Sequence, residues 1–93
     1  MWKAYKGYLN GIVQGVGMRF SVRTTATRKG LRGHVKNLPD GRVEIYFVGK
    51  EKDIERMIDL LRRNKIGAGH IDSVEGEWLD APDDAPDSFD VKF

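Results

Sequence analysis

Residues 31–48 read LRGHVKNLPDGRVEIYFV, and this stretch decides the fold. Two strand-like runs, 31–37 and 42–48, flank a Pro-Asp-Gly turn at 39–41. Proline fixes φ there, aspartate bonds its own backbone, and glycine accepts a positive φ. Apolar and polar residues alternate along the second run, which is typical of a strand with one buried face. The stretch is therefore predicted to be a β-hairpin.

A helix is predicted on each side of this hairpin. On the N-terminal side, a helix is predicted over 20–29, because apolar residues recur at every fourth position at Met18, Val22 and Ala26. Gly30 suits the position that follows the end of this helix. On the C-terminal side, apolar residues at i, i+3, i+4 and i+7 predict an amphipathic helix over 51–63. Further strands are predicted at 5–13, 71–78 and 89–93.

The order β-α-β-β-α-β with a short C-terminal strand predicts an α+β, ferredoxin-like split βαβ fold. Both helices should cover one face of an antiparallel sheet. A length of 93 residues predicts a single domain over 1–93. The chain lacks an apolar run long enough to span a membrane and an apolar secretory signal, so we expect a cytoplasmic monomer without a membrane partner.

Charge is strongly segregated along the chain. Residues 1–50 carry ten cations and two anions, whereas residues 51–93 carry six cations and twelve anions. If the cations share a surface, that surface attracts an anion such as nucleic acid, phosphate or a small acidic metabolite. The absence of cysteine excludes a disulfide framework, a thiolate nucleophile and Cys-ligated metal. His34 and His70 lack ligand spacing, so no metal site is predicted.

A glycine turn, Gly15-Val16-Gly17, joins the first strand to the first helix and is followed closely by Arg19. Such a turn can aim successive N–H groups at a phosphate, and an arginine can grip two of its oxygens. Glycine turns more often only reverse the chain, so the residues alone leave both interpretations open. Neither a mononucleotide loop nor a dinucleotide fingerprint is present, since no Gly-Lys-Ser/Thr occurs and position 20 is Phe.

The string from Gly11 to Arg19 resembles the first signature of the acylphosphatase family, and residues 33–49 resemble its second. One position departs from the pattern, because the family usually has an aromatic residue where this chain has His34. Its side chain should point to the sheet face opposite Asn37, so the departure leaves the assignment of Asn37 intact.

The resemblance implies a hydrolase that cleaves acyl phosphates to a carboxylate and inorganic phosphate, without a metal or other cofactor. It implies that Arg19 clamps the phosphate and that Asn37 orients the attacking water, these two being the catalytic residues. The substrate phosphate would be bound by Gly15, Val16, Gly17, Met18 and Arg19.

Arg19 and Asn37 each also have a possible structural role without catalysis. Arg19 is otherwise a surface arginine at a helix start, and Asn37 is otherwise a residue that bonds the 39–41 turn. Gln14 is expected to be structural or to position the site.

Two other functions share the predicted fold. One is an RNA-binding module, in which Tyr5, Tyr8 and Tyr46 would stack bases on the open sheet face. The aromatic RNA-recognition string expected for that module is absent, so a nucleic-acid partner is not expected. The other is a non-catalytic regulatory domain that retains the anion cradle.

Overall fold

A computed structural model describes the chain over residues 1–93, with strands and helices in the predicted order. The elements are β1 (Trp2–Ile12), α1 (Met18–Arg28), β2 (Arg32–Asn37), β3 (Val43–Lys50), α2 (Glu51–Arg62), β4 (His70–Asp80) and β5 (Phe89–Lys92). Helix α1 begins two residues before the predicted start, because Gly17 adopts a left-handed conformation and its carbonyl accepts the N–H of Ser21 at 3.1 Å. Neither helix is long and apolar enough to cross a membrane.

Five strands form one sheet in the order β4-β1-β3-β2-β5. Strand β1 pairs antiparallel with both β3 and β4, and β2 pairs antiparallel with β3. The expectation of a wholly antiparallel sheet needs correction, since β5 pairs parallel with β2. The chain reverses after β4 and crosses to the opposite edge of the sheet, so β5 runs opposite to β4 and therefore parallel to β2. This is the ferredoxin-like α+β architecture with a mixed sheet.

The core lies between the two helices and one face of the sheet. Strand residues with odd numbers in β1 point to the helices, and those with even numbers point away. Phe47 and Phe89 stack at 5.6 Å between ring centroids, which joins the edge strand β5 to the centre of the core. The predicted helix faces are confirmed, because the buried residues of the two helices are Met18, Val22, Ala26, Ile54, Met57, Ile58 and Leu61.

The open face of the sheet does not carry the three-tyrosine platform that base stacking would use. Tyr5 is buried on the helix side and contacts Trp78 edge-on at 5.3 Å. Tyr8 lies on the open face, where the guanidinium of Arg42 covers its ring at 4.3 Å. Because Tyr5 points away from this face and Tyr8 is covered, the arrangement counts against nucleic-acid stacking.

His34 also lies on the open face, on the opposite side of β2 from Val35. Its Nε2 is 2.7 Å from Oε2 of Glu44 on the neighbouring strand, and its ring is tilted against Tyr46 at 5.5 Å. His34 thus combines a ring contact with Tyr46 and a polar contact with Glu44, both on the face of β2 that points away from the helices.

Candidate active site

The connection from β1 to α1 forms an open cradle. Gly15 and Gly17 have φ of 74° and 75°, in the left-handed region that side chains rarely adopt. Nothing lies within 4 Å of where a Cβ would be at either position, so the φ angle and not crowding requires glycine. Gly17 caps the helix without a side-chain hydrogen bond, and no acidic residue occupies the first turn. The first N–H groups of α1 are therefore available to an anion.

Arg19 lies in the first turn of α1 and is held from the far end of the sequence. Its Nη1 donates a hydrogen bond to the carbonyl oxygen of Lys92 at 3.0 Å, and its guanidinium lies 4.6 Å from the ring centroid of Phe93. None of the protein's six ion pairs includes this arginine. A cation at a helix N-terminus is unfavourable by itself, so an anion bound in the cradle would relieve an existing repulsion.

Asn37 ends β2 and faces the same space. Its Oδ1 atom is buried and has no hydrogen-bond partner. The turn that Asn37 would bond in its alternative, structural role is closed by Asp40, whose carboxylate accepts the N–H of Arg42 at 3.0 Å and its Nε–H at 2.8 Å. Both hydrogen bonds lower the pKa of Asp40, and the bond from the backbone N–H of Arg42 has the larger effect. The amide of Asn37 is thus left for another partner, because a buried polar atom without one is costly.

One small cavity of about 120 Å³ gathers most of the predicted site residues. It is lined by Val13, Gly15, Gly17, Met18, Arg19, Phe20 and Asn37. Val16 belongs to the same loop but does not line the cavity. A larger groove of about 620 Å³ lies elsewhere, beside α2, and shares none of these residues. That groove is lined by three cations and two carboxylates, whereas the small cavity is lined by one cation and no carboxylate.

Gln14 connects the cradle to the hairpin that carries Asn37. Its Nε2 donates to the carbonyl oxygens of Leu38 at 2.7 Å and Arg42 at 2.9 Å. The expectation that this residue has a structural or positioning role agrees with these contacts. They join the two segments from which the cavity is built.

The connection between α2 and β4 supports the cradle from behind, a role that was not predicted. A side chain at Gly69 would collide with the carbonyl of Ile12 and with Cγ2 of Val16, and one at Gly67 would crowd the sulfur of Met18. The only sequence signal for this role was the pair of glycines at 67 and 69. No pattern in the sequence indicates the contacts of Lys92 and Phe93 with Arg19.

The chemistry available to this cavity follows from its donors. It offers backbone N–H groups, one guanidinium and one amide, all of which suit a phosphate oxygen or a water molecule. No group of three or more His, Asp or Glu residues that could hold a metal occurs in the protein. The arrangement can bind and polarise a phosphate, and its carboxamide can orient a small molecule beside it.

Comparison with known proteins gives one consistent family. The family model for acylphosphatase matches residues 5–91. An acylphosphatase of Caldivirga maquilingensis is 46% identical over 86 residues, with 91% of this chain and 88% of the relative covered. An acylphosphatase of Archaeoglobus fulgidus is 47% identical over 55 residues, which cover 59% of this chain and 62% of that relative.

Solved structures agree with the sequence relatives. The crystal structure of acylphosphatase from Bacillus subtilis superposes with a TM-score of 0.88 at 27% identity, and the match covers 100% of both chains. The fold, the two signature strings and the matched family model all point the same way. The chain belongs to the acylphosphatase family.

Proposed function

We propose that this protein is an acylphosphatase that hydrolyses acyl phosphates to a carboxylate and inorganic phosphate without a metal ion. The observation that carries the proposal is the convergence of Arg19, Asn37 and the glycine turn on one cavity of about 120 Å³. The relatives that match most of this chain are named acylphosphatase. The residues act within one domain over 1–93, which we propose is a cytoplasmic monomer.

Binding is the first role of the cradle. The phosphate accepts hydrogen bonds from the N–H groups between Gly15 and Arg19, and the positive end of α1 favours its negative charge. The guanidinium of Arg19 binds two phosphate oxygens through its planar fork. Phosphoryl transfer spreads charge over the equatorial oxygens, so these donors stabilise the transition state as well as the substrate.

Asn37 orients the attacking water. Its buried, unpartnered Oδ1 accepts a hydrogen bond from a water molecule, which directs the water's lone pair towards phosphorus. An amide does not take up a proton at neutral pH, so Asn37 aligns water without deprotonating it. The proton that the water loses passes to a phosphate oxygen of the substrate.

The bond changes balance without an enzymic acid. The water oxygen bonds to phosphorus while the bond between phosphorus and the acyl oxygen breaks, and its electron pair remains on the departing carboxylate. The conjugate acid of a carboxylate has a pKa of roughly 4, so the leaving group departs unprotonated at neutral pH. This chemistry suits a cavity that contains no carboxylate, histidine or thiol.

The test is phosphate release from acetyl phosphate by the purified protein in excess EDTA, compared with the uncatalysed rate. Turnover that EDTA does not reduce, with competitive inhibition by inorganic phosphate, would support the proposal. A well-folded protein that binds phosphate but releases none from acetyl or benzoyl phosphate would contradict it and indicate a regulatory domain that retains the cradle.

A further inference from the structure

Phe20 is a large apolar residue that stays exposed at the mouth of the cavity. Its side chain follows Arg19 directly, is 51% exposed, and lines the cavity that contains Asn37. The same residue also lines an adjoining groove of about 340 Å³. The other residues of this groove are Ser21, Thr24, Thr25, Lys65, Ile66 and Gly67. We call it the Phe20 groove. A substrate whose phosphate occupies the cradle meets this groove at the ring of Phe20.

The Phe20 groove presents positive charge and hydroxyl groups but no carboxylate. Lys65 is exposed and takes part in none of the protein's ion pairs, so its ammonium is not neutralised. The hydroxyl of Thr24 donates to the carbonyl of Phe20 at 2.9 Å, which fixes the wall of the groove. Arg23 lies 5.9 Å from the ring of Phe20 and adds a second cation to this region. The groove thus combines an apolar ring that also lines the cradle with a cation that does not line it.

We infer that the Phe20 groove binds the acyl half of the substrate and favours acyl phosphates whose carbon chain ends in an anion. This inference rests on the proposed function and adds a substrate class to it. Methylene groups lie against the ring of Phe20, where they leave water, and the terminal carboxylate meets the ammonium of Lys65. Phe20 and Thr24 line this groove one helical turn apart, about 6 Å along α1, and Lys65 lines the same groove.

The other grooves of the protein fit such a ligand less well. The groove beside α2 contains the carboxylates of Glu55 and Asp59 among its cations, so its charges compensate one another. It also borders no part of the cradle. Lys52 in that groove is exposed like Lys65, and it therefore provides a matched control for a change of surface charge.

The experiment compares two acyl phosphates of equal chain length, valeryl phosphate and glutaryl phosphate, which differ in a terminal carboxylate. The ratio of kcat/KM for glutaryl phosphate to that for valeryl phosphate is measured in excess EDTA for the wild type, Lys65→Gln, Lys65→Glu, Lys52→Gln and Lys52→Glu. We expect this ratio to fall about threefold in Lys65→Gln and about tenfold in Lys65→Glu, chiefly through KM. Neither Lys52 variant should change it, although each alters the net charge equally.

Phe20→Ala tests the apolar part of the groove. Its loss of kcat/KM should be several-fold larger for valeryl phosphate than for acetyl phosphate, because the longer chain loses a contact that the acetyl group does not make. Equal ratios of glutaryl to valeryl phosphate in the Lys65 and Lys52 variants would overturn the inference while leaving the proposed hydrolysis intact. Absence of turnover with every acyl phosphate would overturn the proposed function and the inference together.

Discussion

The side chain of Gln14 donates a hydrogen bond to the carbonyl oxygen of Leu38 at 2.7 Å, across 24 residues of sequence. A second bond from the same nitrogen reaches the carbonyl of Arg42 at 2.9 Å. Gln14 precedes the glycine turn and Leu38 follows Asn37, so this amide joins the cradle to the strand that ends in Asn37. In the proposed mechanism, the distance between the bound phosphate and the attacking water would therefore depend on a residue that touches neither.

Replacing Gln14 should lower activity and stability together. Gln14→Glu removes the donor and sets a carboxylate against two carbonyl oxygens, so we expect kcat to fall by about tenfold and the free energy of unfolding by about 1–2 kcal/mol. Urea denaturation and initial rates with acetyl phosphate measure the two effects. Asn10→Ala is the control, since Asn10 bonds Ser73 at 3.2 Å outside the cavity. A Gln14→Glu protein with wild-type kcat would show that the link does not position the site.

Asn37→Ala should separate catalysis from stability. The buried Oδ1 of Asn37 has no partner, so its removal should leave the free energy of unfolding equal or slightly higher, while kcat falls by about 100-fold or more and KM changes little. Asn64→Ala gives the opposite pattern, because Asn64 bonds the backbone of Ile71 twice, at 2.6 and 3.1 Å, near the end of α2. A large loss of stability with kcat retained in Asn37→Ala would mean that this residue is structural.

Three glycines allow the effect of backbone strain on stability to be separated from the effect of an added methyl group on phosphate binding. Gly15, Gly17 and Gly30 have φ of 74°, 75° and 75°, and each faces open space where a Cβ would be. Substitution by Ala should destabilise the protein by about 1 kcal/mol at each site. Only the Gly15 and Gly17 variants should weaken inhibition by inorganic phosphate, because only these methyl groups enter the cradle. Equal phosphate inhibition in all three variants would argue against the cradle.

The pair of His34 and Glu44 predicts a pH dependence of stability. Partial burial raises the pKa of Glu44, but the hydrogen bond from His34 and the charges of Lys6, His34 and Lys36 outweigh it, so the pKa lies below its usual value of 4.5. A carboxyl with a depressed pKa in the folded state stabilises the protein above its unfolded pKa, and this contribution is lost as the pH falls through the folded value. Glu44→Gln should therefore flatten the dependence of unfolding free energy on pH below about 4.5. If Glu44→Gln leaves the pH dependence of the unfolding free energy below about 4.5 unchanged, Glu44 does not cause that dependence.

Local patterns predicted most of the fold. The Pro-Asp-Gly turn at 39–41 and the apolar spacing of α2 depend on neighbouring residues, so the hairpin and both helices could be predicted before the structure was known. Pairing of β5 with β2 could not, because it depends on how the eight-residue connection 81–88 crosses the sheet. Fewer than half of the residues along β4 are buried, which explains why its periodicity was weak.

Only part of the candidate site could likewise be predicted from the sequence. The glycine turn with Arg19 and the strand that ends in Asn37 could be singled out because each is a contiguous string. The carbonyl of Lys92 that holds Arg19 is 73 residues away in sequence, and no pattern in either segment indicates the contact. The sequence marks Phe20 only as a residue that excludes a third glycine, because its exposure is a property of the tertiary structure.

In the proposed mechanism, Arg19 clamps the phosphate during metal-independent hydrolysis. The most direct test is kcat/KM for acetyl phosphate in excess EDTA, measured for the wild type, Arg19→Ala, Arg19→Lys and the control Arg28→Ala. Arg28 is an exposed arginine in the last turn of the same helix.

If Arg19 clamps the phosphate, kcat/KM should fall by about 1,000-fold or more in Arg19→Ala. It should also fall strongly in Arg19→Lys, because an ammonium cannot replace the bidentate fork. Arg28→Ala should stay within about twofold of the wild type. A folded Arg19→Ala protein with nearly wild-type kcat/KM would show that Arg19 does not clamp the phosphate.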